Sequence, residues 1–103
     1  MKNKFTKSAY RPLPDCLTIK ASNIDGLGLC ATRNIDAGTV LGITHHYINS
    51  NTLRTPLGGF INHSDTPNCY ITVTQHENTL HTVMPIRKGH ELTVYYRLEL
   101  SND

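Results

Sequence analysis

Three short segments of the chain combine glycines with side chains that can hydrogen-bond a ligand. They are Asp25-Gly26-Leu27-Gly28-Leu29, then Asn-His-Ser-Asp-Thr-Pro-Asn at positions 62–68, and then Gly89-His90-Glu91-Leu92-Thr93-Val94-Tyr95-Tyr96. A glycine pair can expose backbone amides and let another molecule approach the main chain, because glycine has no Cβ. The second segment has more hydrogen-bonding side chains in a row than a plain turn needs. It is therefore either an elaborate loop or part of a site.

Each segment also has an ordinary structural explanation when it is taken alone. The first fits a hairpin turn, and the third fits a turn followed by an edge strand that ends in aromatic residues. The second fits a long turn in which Asn, Ser and Asp side chains cap local amides. That explanation covers Ser64 and Pro67, but it covers Gly58-Gly59 and the Asn-His-Ser run less well. A dinucleotide-binding motif is excluded at the first segment, because it needs a third glycine and a following helix.

In combination and in this order, the three segments resemble the SET-domain family of protein lysine methyltransferases. The resemblance extends to the segment from Arg33 to Leu41 and covers the chain from about Leu17 to Tyr96. It implies a mainly β protein with little helix, folded as several small β-sheets around a C-terminal pseudoknot. In that fold the Asn-His-Ser segment packs against the C-terminal strand and helps to build the cofactor site.

The cofactor implied by the resemblance is S-adenosyl-L-methionine. Main-chain groups around Gly26, Leu27 and Gly28 are expected to face its methionine part. Asn62 and His63 are expected to contact the cofactor, with main-chain groups of His63 at the adenine. The resemblance also gives Tyr96 as the catalytic tyrosine. Four further aromatic residues are candidates for the wall of a lysine channel: Tyr47, Phe60, Tyr70 and Tyr95.

The chemistry implied is methyl transfer from a sulfonium to the side-chain amine of a lysine. The amine must be neutral, and neutralising free lysine at pH 7 costs about 4–5 kcal/mol. A nearby sulfonium charge and an apolar channel both disfavour the ammonium form and so reduce that cost. No carboxylate base is then required: Tyr96 orients the amine, and Glu91 is interpreted as a structural residue hydrogen-bonded within the pseudoknot.

A second interpretation is a SET-like module that binds the cofactor or a peptide with little or no turnover. Only about twenty residues separate Leu41 from Asn62, where most family members insert a longer subdomain, and seven residues follow Tyr96. The cysteine-rich zinc segment of many relatives is also missing. These departures remove walls of the substrate site, which a second subunit in a homodimer can supply.

Composition limits the remaining possibilities. The chain of 103 residues predicts one domain, with a basic arm at 1–14 and a minimal SET domain at 15–103. A net charge of +2 without a basic run interleaved with aromatics gives no support for nucleic-acid recognition. Three dispersed cysteines predict neither a disulfide framework nor a metal site. No secretory signal or membrane span is recognised, so an intracellular protein is expected, in the cytoplasm or, in a eukaryotic host, the nucleus.

Short runs of β-branched residues between Gly, Asn and Asp turns predict the elements that position these segments. We expect strands at Leu17–Lys20, Leu27–Thr32, Thr39–Ile48, Tyr70–Thr74, Thr79–Val83 and Glu91–Tyr96. The two strands before and after Gln75–Asn78 should form a hairpin with a four-residue loop. The best helix candidate is a single turn near Leu57–Ile61.

Overall fold

The computed structural model describes residues 13–95, which form short strands and one short helix. The strands in this range are β1 (Leu17–Ala21), β2 (Leu27–Ala31), β3 (Val40–Ile48), β4 (Asn51–Arg54), β5 (Asn62–His63), β6 (Cys69–Val73), β7 (Glu77–Thr82) and β8 (Glu91–Val94). The helix α1 (Pro56–Gly59) lies between β4 and β5. No helix within residues 13–95 is long and apolar enough to cross a membrane.

The strands form two four-stranded sheets. The first sheet has the order β1-β2-β8-β5, in which β8 pairs antiparallel with β2 and parallel with β5. The second sheet has the order β4-β3-β7-β6, and all of its pairs are antiparallel. The strand β8, from the C-terminal part of the chain, therefore lies between the N-terminal hairpin and the middle of the chain.

One apolar core serves both sheets. Leu29 and Leu92 face each other in β2 and β8, and Leu80 occupies the centre of β7; all three are fully buried. Other members of the core come from strands, loops and α1: Cys16, Leu17, Ala31, Ile35, Leu41, Leu57, Ile61, Cys69, Ile86 and Val94. Because these residues come from both sheets, the sheets are expected to unfold together.

The short helix α1 begins at a sequence signal for helix initiation. The Thr55 side chain accepts a hydrogen bond from the amide of Gly58 at 3.3 Å, and Pro56 occupies the first helical turn. A capping threonine followed by proline is typical of a helix start, since proline lacks the amide that would otherwise be unpaired. The helix buries Leu57 and leads directly into the Asn-His-Ser segment.

The predicted fold class, mainly β with small sheets and little helix, is confirmed, and three details of the prediction are corrected. The loop between β6 and β7 is shorter than predicted, because Glu77 and Asn78 belong to β7. The strand β4 was not expected; it follows Asn49 and Ser50, which both have positive φ and turn the chain back onto β3. The last strand ends at Val94 rather than Tyr96, and Tyr96 lies outside the described residues.

Candidate functional site

The strand β8 brings the three glycine-containing and polar segments together. On one side, Glu91 pairs with Cys30 of β2, just after the Gly26-Leu27-Gly28 turn. On the other side, Thr93 pairs with Asn62 of β5. The amide of Ser64 extends this contact by donating to the carbonyl of Val94 at 2.8 Å. The prediction that the Asn-His-Ser segment packs against the C-terminal strand is thereby confirmed.

A polar cluster of Ser22, Asn62 and Glu91 lies at this junction. The Ser22 hydroxyl donates to the two carboxylate oxygens of Glu91 at 2.8 and 2.9 Å. Asn62 Nδ2 donates to Glu91 Oε2 at 2.8 Å and to Ser22 Oγ at 3.0 Å. The same nitrogen also approaches the carbonyl oxygens of Asp25 and Leu27, each at 3.2 Å. The cluster thus links the glycine turn, β5 and β8 through side chains.

The two glycines of the turn are required for different reasons. Gly26 has φ of +49°, a left-handed conformation that residues with a Cβ adopt at a cost. Gly28 is buried, and a Cβ there would overlap the Glu91 carboxylate and lie 3.2 Å from Asn62 Nδ2. Close packing against the polar cluster therefore explains Gly28, while backbone shape explains Gly26.

The electrostatic character of the cluster is that of an acceptor-rich site. Glu91 accepts hydrogen bonds from Ser22 and Asn62, and within residues 13–95 no Lys, Arg or His side chain forms an ion pair with it. Its charge also affects β2: burial, and then the nearby Glu91 carboxylate, raise the pKa of the Cys30 thiol, while Lys20 opposes them. Burial and negative charge next to the glycine turn favour a ligand that carries positive charge.

Asn68, at the end of the second segment, has a structural role in the described contacts. Its Oδ1 accepts from the amide of Thr93 at 2.8 Å, and its Nδ2 donates to the carbonyl of Glu91 at 2.9 Å. The Asn68 side chain therefore hydrogen-bonds β8 as a neighbouring strand would, and it satisfies two backbone groups of β8. This explains the Asn that follows Pro67, and it fixes the Asn-His-Ser loop relative to the polar cluster.

His63, in β5, and Tyr95, which directly follows β8, lie next to each other. Their ring centroids are 5.0 Å apart at an interplanar angle of 46°, within the range of aromatic contact. His63 Nε2 also lies 3.0 Å from Asp65 Oδ1. About 40% of the His63 side chain is exposed, so a ligand can reach this surface. The catalytic residue expected next to it, Tyr96, lies outside the described residues.

The other three channel candidates make separate contacts. The Tyr47 hydroxyl donates to Asn78 Oδ1 at 2.7 Å, and Phe60 packs against the apolar core. The Tyr70 ring stacks on His81 at 4.8 Å on the second sheet. No ring contact joins Tyr47, Phe60 or Tyr70 to one another among residues 13–95. Their place in a lysine channel stays a prediction.

Two cluster residues had no binding role in the sequence prediction. Glu91 was expected to be structural, and Ser22 was given no role. The one local signal is that Ser22 can accept from amides two and three residues on, as it does for Ile24 at 2.8 Å and Asp25 at 3.2 Å. Its bond to Glu91 spans 69 positions, and no local pattern predicts it. Among residues 13–95, no three His, Cys, Asp or Glu side chains group as a metal site would require.

Comparison with known proteins agrees with this architecture. Residues 43–97 match the SET domain family model. The fold is similar to that of a Plasmodium falciparum protein assigned as a histone methyltransferase, with TM-score 0.67 and 21% identity over 82% of this chain and 95% of that chain. It is also similar to the methyltransferase domain of human PR domain-containing protein 2, with TM-score 0.63 and 19% identity over 82% and 79%. Comparison with curated proteins gives no match.

The fold and the three converging segments are those of a SET domain. The family match spans more than half of the chain. The chain therefore belongs to the SET-domain family, whose members are protein lysine methyltransferases.

Proposed function

We propose that this chain is a protein lysine N-methyltransferase that uses S-adenosyl-L-methionine as its methyl donor. The observation that carries the proposal is the convergence of the Gly26-Leu27-Gly28 turn and Asn62 on Glu91 of β8. In a member of the SET-domain family, these segments are the ones expected to form the cofactor site.

The acceptor groups and the charge at the junction suit this cofactor. Within residues 13–95, Asn62 Oδ1 accepts no hydrogen bond, and Asn62 Nδ2 is already shared among four acceptors. The carboxylate of Glu91 lies directly behind Gly28. The junction therefore offers one open acceptor, Asn62 Oδ1, beside the negative charge of Glu91, and the methionine end of S-adenosylmethionine carries an ammonium and a sulfonium. When bound, the cofactor supplies an electrophilic methyl group on its positively charged sulfur.

The protein's task in this reaction is to hold a neutral amine in line with that methyl group. Tyr96 is proposed to orient the amine through its hydroxyl, since correct orientation removes much of the entropic cost of an in-line displacement. Gly26, Leu27, Gly28, Asn62 and His63 are proposed to contact the cofactor. Tyr95, in ring contact with His63, is a channel candidate at this surface.

The substrate class is proposed to be a lysine in a protein or peptide. The Plasmodium falciparum protein of similar fold is assigned as a histone methyltransferase, so histone tails are the first substrates to test. We further propose that the C-terminal segment forms the pseudoknot of SET domains. A homodimer is also proposed, in which the partner adds walls to the substrate site.

A binding module without turnover is the second candidate. The chain between β3 and β5 contains only the four-residue strand β4 and the four-residue helix α1, so little structure is available to build a substrate groove. Such a module is expected to bind the cofactor, or an extended peptide along a sheet edge, without transferring methyl groups.

Titration calorimetry with S-adenosylmethionine, followed by labelled-methyl transfer to histone tails and cell lysate, separates these candidates. Binding together with transfer supports the enzyme, whereas binding without transfer across the panel supports the module. Tyr96→Phe is expected to lower the transfer rate by about a hundredfold or more while cofactor binding and melting temperature stay unchanged. Tyr10→Phe, a matched change in the N-terminal arm, should leave the rate unaltered. Absence of cofactor binding by the wild-type chain contradicts the proposed function.

A further inference from the structure

We infer that Ser22 and Glu91 are positioning residues, which hold the Asn62 side chain and the Gly26-Leu27-Gly28 turn in the relation that binds the cofactor. This inference rests on the proposed function and extends it to two residues outside the expected contact set. Neither residue is assigned to chemistry: both are proposed to act through Asn62 and through the backbone of the turn, and Glu91 acts in addition through its charge.

Ser22 connects every part of the junction through one oxygen atom. Its Oγ accepts from the amides of Ile24 and Asp25, which fixes the turn that leads to Gly26. It also accepts from Asn62 Nδ2 at 3.0 Å and donates to Glu91. A side-chain hydroxyl can both donate and accept on a single atom. Alanine at this position would therefore remove the side-chain contacts with four residues at once.

Glu91 is held in place from three directions. Its backbone is fixed by pairing between β8 and β2, where Glu91 lies opposite Cys30. Its carboxylate packs against Gly28 so closely that no Cβ fits between them. Ser22 and Asn62 then occupy its oxygens. The carboxylate consequently fixes the positions of the turn and of the Asn62 side chain.

The apolar core gives the turn little other support. Ile24 and Leu27 are each 52% exposed, and Gly26 is exposed as well. The nearest core residues on either side of the turn are Ile19 in β1 and Leu29 in β2. The orientation of the turn is therefore set mainly by the polar cluster. Loss of the cluster is expected to change the shape of the site more than the stability of the fold.

The charge of Glu91 supplies a second part of the argument. Within residues 13–95, no cationic side chain forms an ion pair with this carboxylate, although it is partly buried. A charge removed from water is favourable when an opposite charge lies close to it. A cationic ligand at the glycine turn would provide that partner. Glu91 is thus expected both to hold the turn and to favour the positively charged end of the cofactor.

The experiment is calorimetric titration of full-length variants with S-adenosylmethionine, with a thermal melt of each variant. We expect Ser22→Ala to weaken binding by about tenfold, the factor that corresponds to about 1.4 kcal/mol. Ser22→Thr, which keeps the hydroxyl, should stay within fivefold of the wild type. Thr74→Ala is the matched control, because the Thr74 hydroxyl also joins several backbone groups, those of His76 and Glu77, but in the second sheet.

Glu91→Gln tests the charge while keeping the length of the side chain and one acceptor oxygen. We expect it to weaken cofactor binding more than fivefold, whereas Glu77→Gln, the same change on β7, should not. Glu91→Gln also keeps the inference testable if Ser22→Ala fails to fold.

The inference is overturned if Ser22→Ala or Glu91→Gln binds within fivefold of the wild type, or if Ser22→Thr loses as much affinity as Ser22→Ala. In each of these cases the wild-type titration still supports the proposed function. If the wild type itself does not bind the cofactor, the proposed function fails and this inference fails with it. The wild-type titration therefore distinguishes the two failures.

Discussion

The two sheets of this SET domain are connected in different ways. In the second sheet, two of the three strand pairs, β3–β4 and β6–β7, join strands that follow each other in the chain, and only β3–β7 is a longer-range pair. In the first sheet, only β1–β2 is a pair of consecutive strands, and β8 pairs with β2 and with β5, which are distant in sequence. The first sheet also depends on side-chain hydrogen bonds such as the one from Ser22 to Glu91, 69 positions apart.

Within this arrangement, what stabilises the molecule differs from what shapes its candidate site. The fully buried Leu29, Leu92 and Leu80 come from both sheets and form the shared core. The second sheet adds the buried Thr44 and Thr82. The site in the first sheet lies on an exposed turn that polar contacts hold in place. Changes in the second sheet should therefore lower stability with little effect on ligand binding, and changes at the polar cluster should do the reverse.

The largest effect on stability is expected for Leu80→Ala in β7. Leu80 is fully buried at the centre of the second sheet, and deletion of a buried leucine side chain costs about 2–5 kcal/mol. Urea denaturation should show a lower midpoint with a single transition. At a temperature where the variant is folded, its affinity for S-adenosylmethionine should stay within about twofold of the wild type.

Val73→Ala is the control for this prediction. Val73 lies in the same sheet, but 67% of its side chain is exposed, so the change should alter stability by about 0.5 kcal/mol or less. A large loss of cofactor affinity in folded Leu80→Ala would contradict the separation between the sheets, because the site would then depend on packing around β7.

Two glycine substitutions test the comparison more directly. A Cβ at Gly58 in α1 would lie 2.5 Å from the backbone oxygen of Thr44, which cannot move without moving β3. Gly58→Ala should therefore cost about 1–3 kcal/mol of stability. A Cβ at Gly28 would instead meet the carboxylate of the Glu91 side chain, which can be displaced without moving a strand. Gly28→Ala should displace the carboxylate and weaken cofactor binding, with a smaller loss of stability.

The two variants are compared by thermal melts and by cofactor titration under the same conditions. Gly58→Ala is expected to have the lower melting temperature, and Gly28→Ala is expected to have the weaker cofactor binding. If Gly28→Ala is the less stable variant and still binds the cofactor normally, Gly28 is needed for packing in the first sheet rather than for the geometry of the polar cluster.

Local sequence patterns predicted the strands of this fold well where apolar and polar residues alternate. The strands β1 and β6 are examples. The helical turn of α1 was also predicted. The strand β4 was missed because all four of its residues, Asn-Thr-Leu-Arg, are exposed and carry no alternation. The β6–β7 loop was placed too late in the chain, because the Thr74 hydroxyl accepts from the amides of His76 and Glu77 and tightens the turn.

The candidate site was predictable only in part. The glycine turn and Asn62 were recognised through the resemblance to a family, and they do meet at β8. Glu91 was expected to be a hydrogen-bonded structural residue, but its partner Ser22 could not be predicted, because their contact depends on β8 lying beside β2. Strand order of this kind is set by the packing of the whole core and leaves no pattern in either segment alone.

The thiol of Cys69 gives a prediction about alkaline stability. Cys69 begins β6, and burial raises the pKa of its thiol to about 12, opposed by a backbone hydrogen bond from Thr93. The unfolded chain, with a thiol pKa of about 8.5, then loses this proton at lower pH than the folded chain. The folded state therefore binds more protons between these two pKa values. The contribution of the protonated thiol to the free energy of unfolding is complete below the pKa of the unfolded chain and decreases as pH rises above it.

Melting temperature measured from pH 8 to pH 10.5 checks this prediction. Cys69→Ala should show a shallower decline than the wild type, although its melting temperature at pH 8 is lower. Leu80→Ala is the control, since it also lowers stability but keeps every thiol. Equal slopes in the wild type and in Cys69→Ala would mean that the thiol is ionised as easily in the folded chain as in the unfolded chain.

The smallest effect is expected at the turn between β3 and β4. Asn49 and Ser50 have φ of 50° and 70°, and a two-residue hairpin with positive φ at both positions favours Asn followed by Gly. Ser50→Gly should relieve the cost of a left-handed serine and stabilise the protein by about 0.5–1 kcal/mol. Ser50→Ala keeps a Cβ and should bring no gain. Urea midpoints measure both changes.

The same two variants also test the division of roles between the sheets. Because the turn lies at the edge of the second sheet, cofactor affinity should not change in either variant. If Ser50→Gly alters that affinity, the edge formed by β3 and β4 takes part in the site, and the division of roles between the two sheets is wrong.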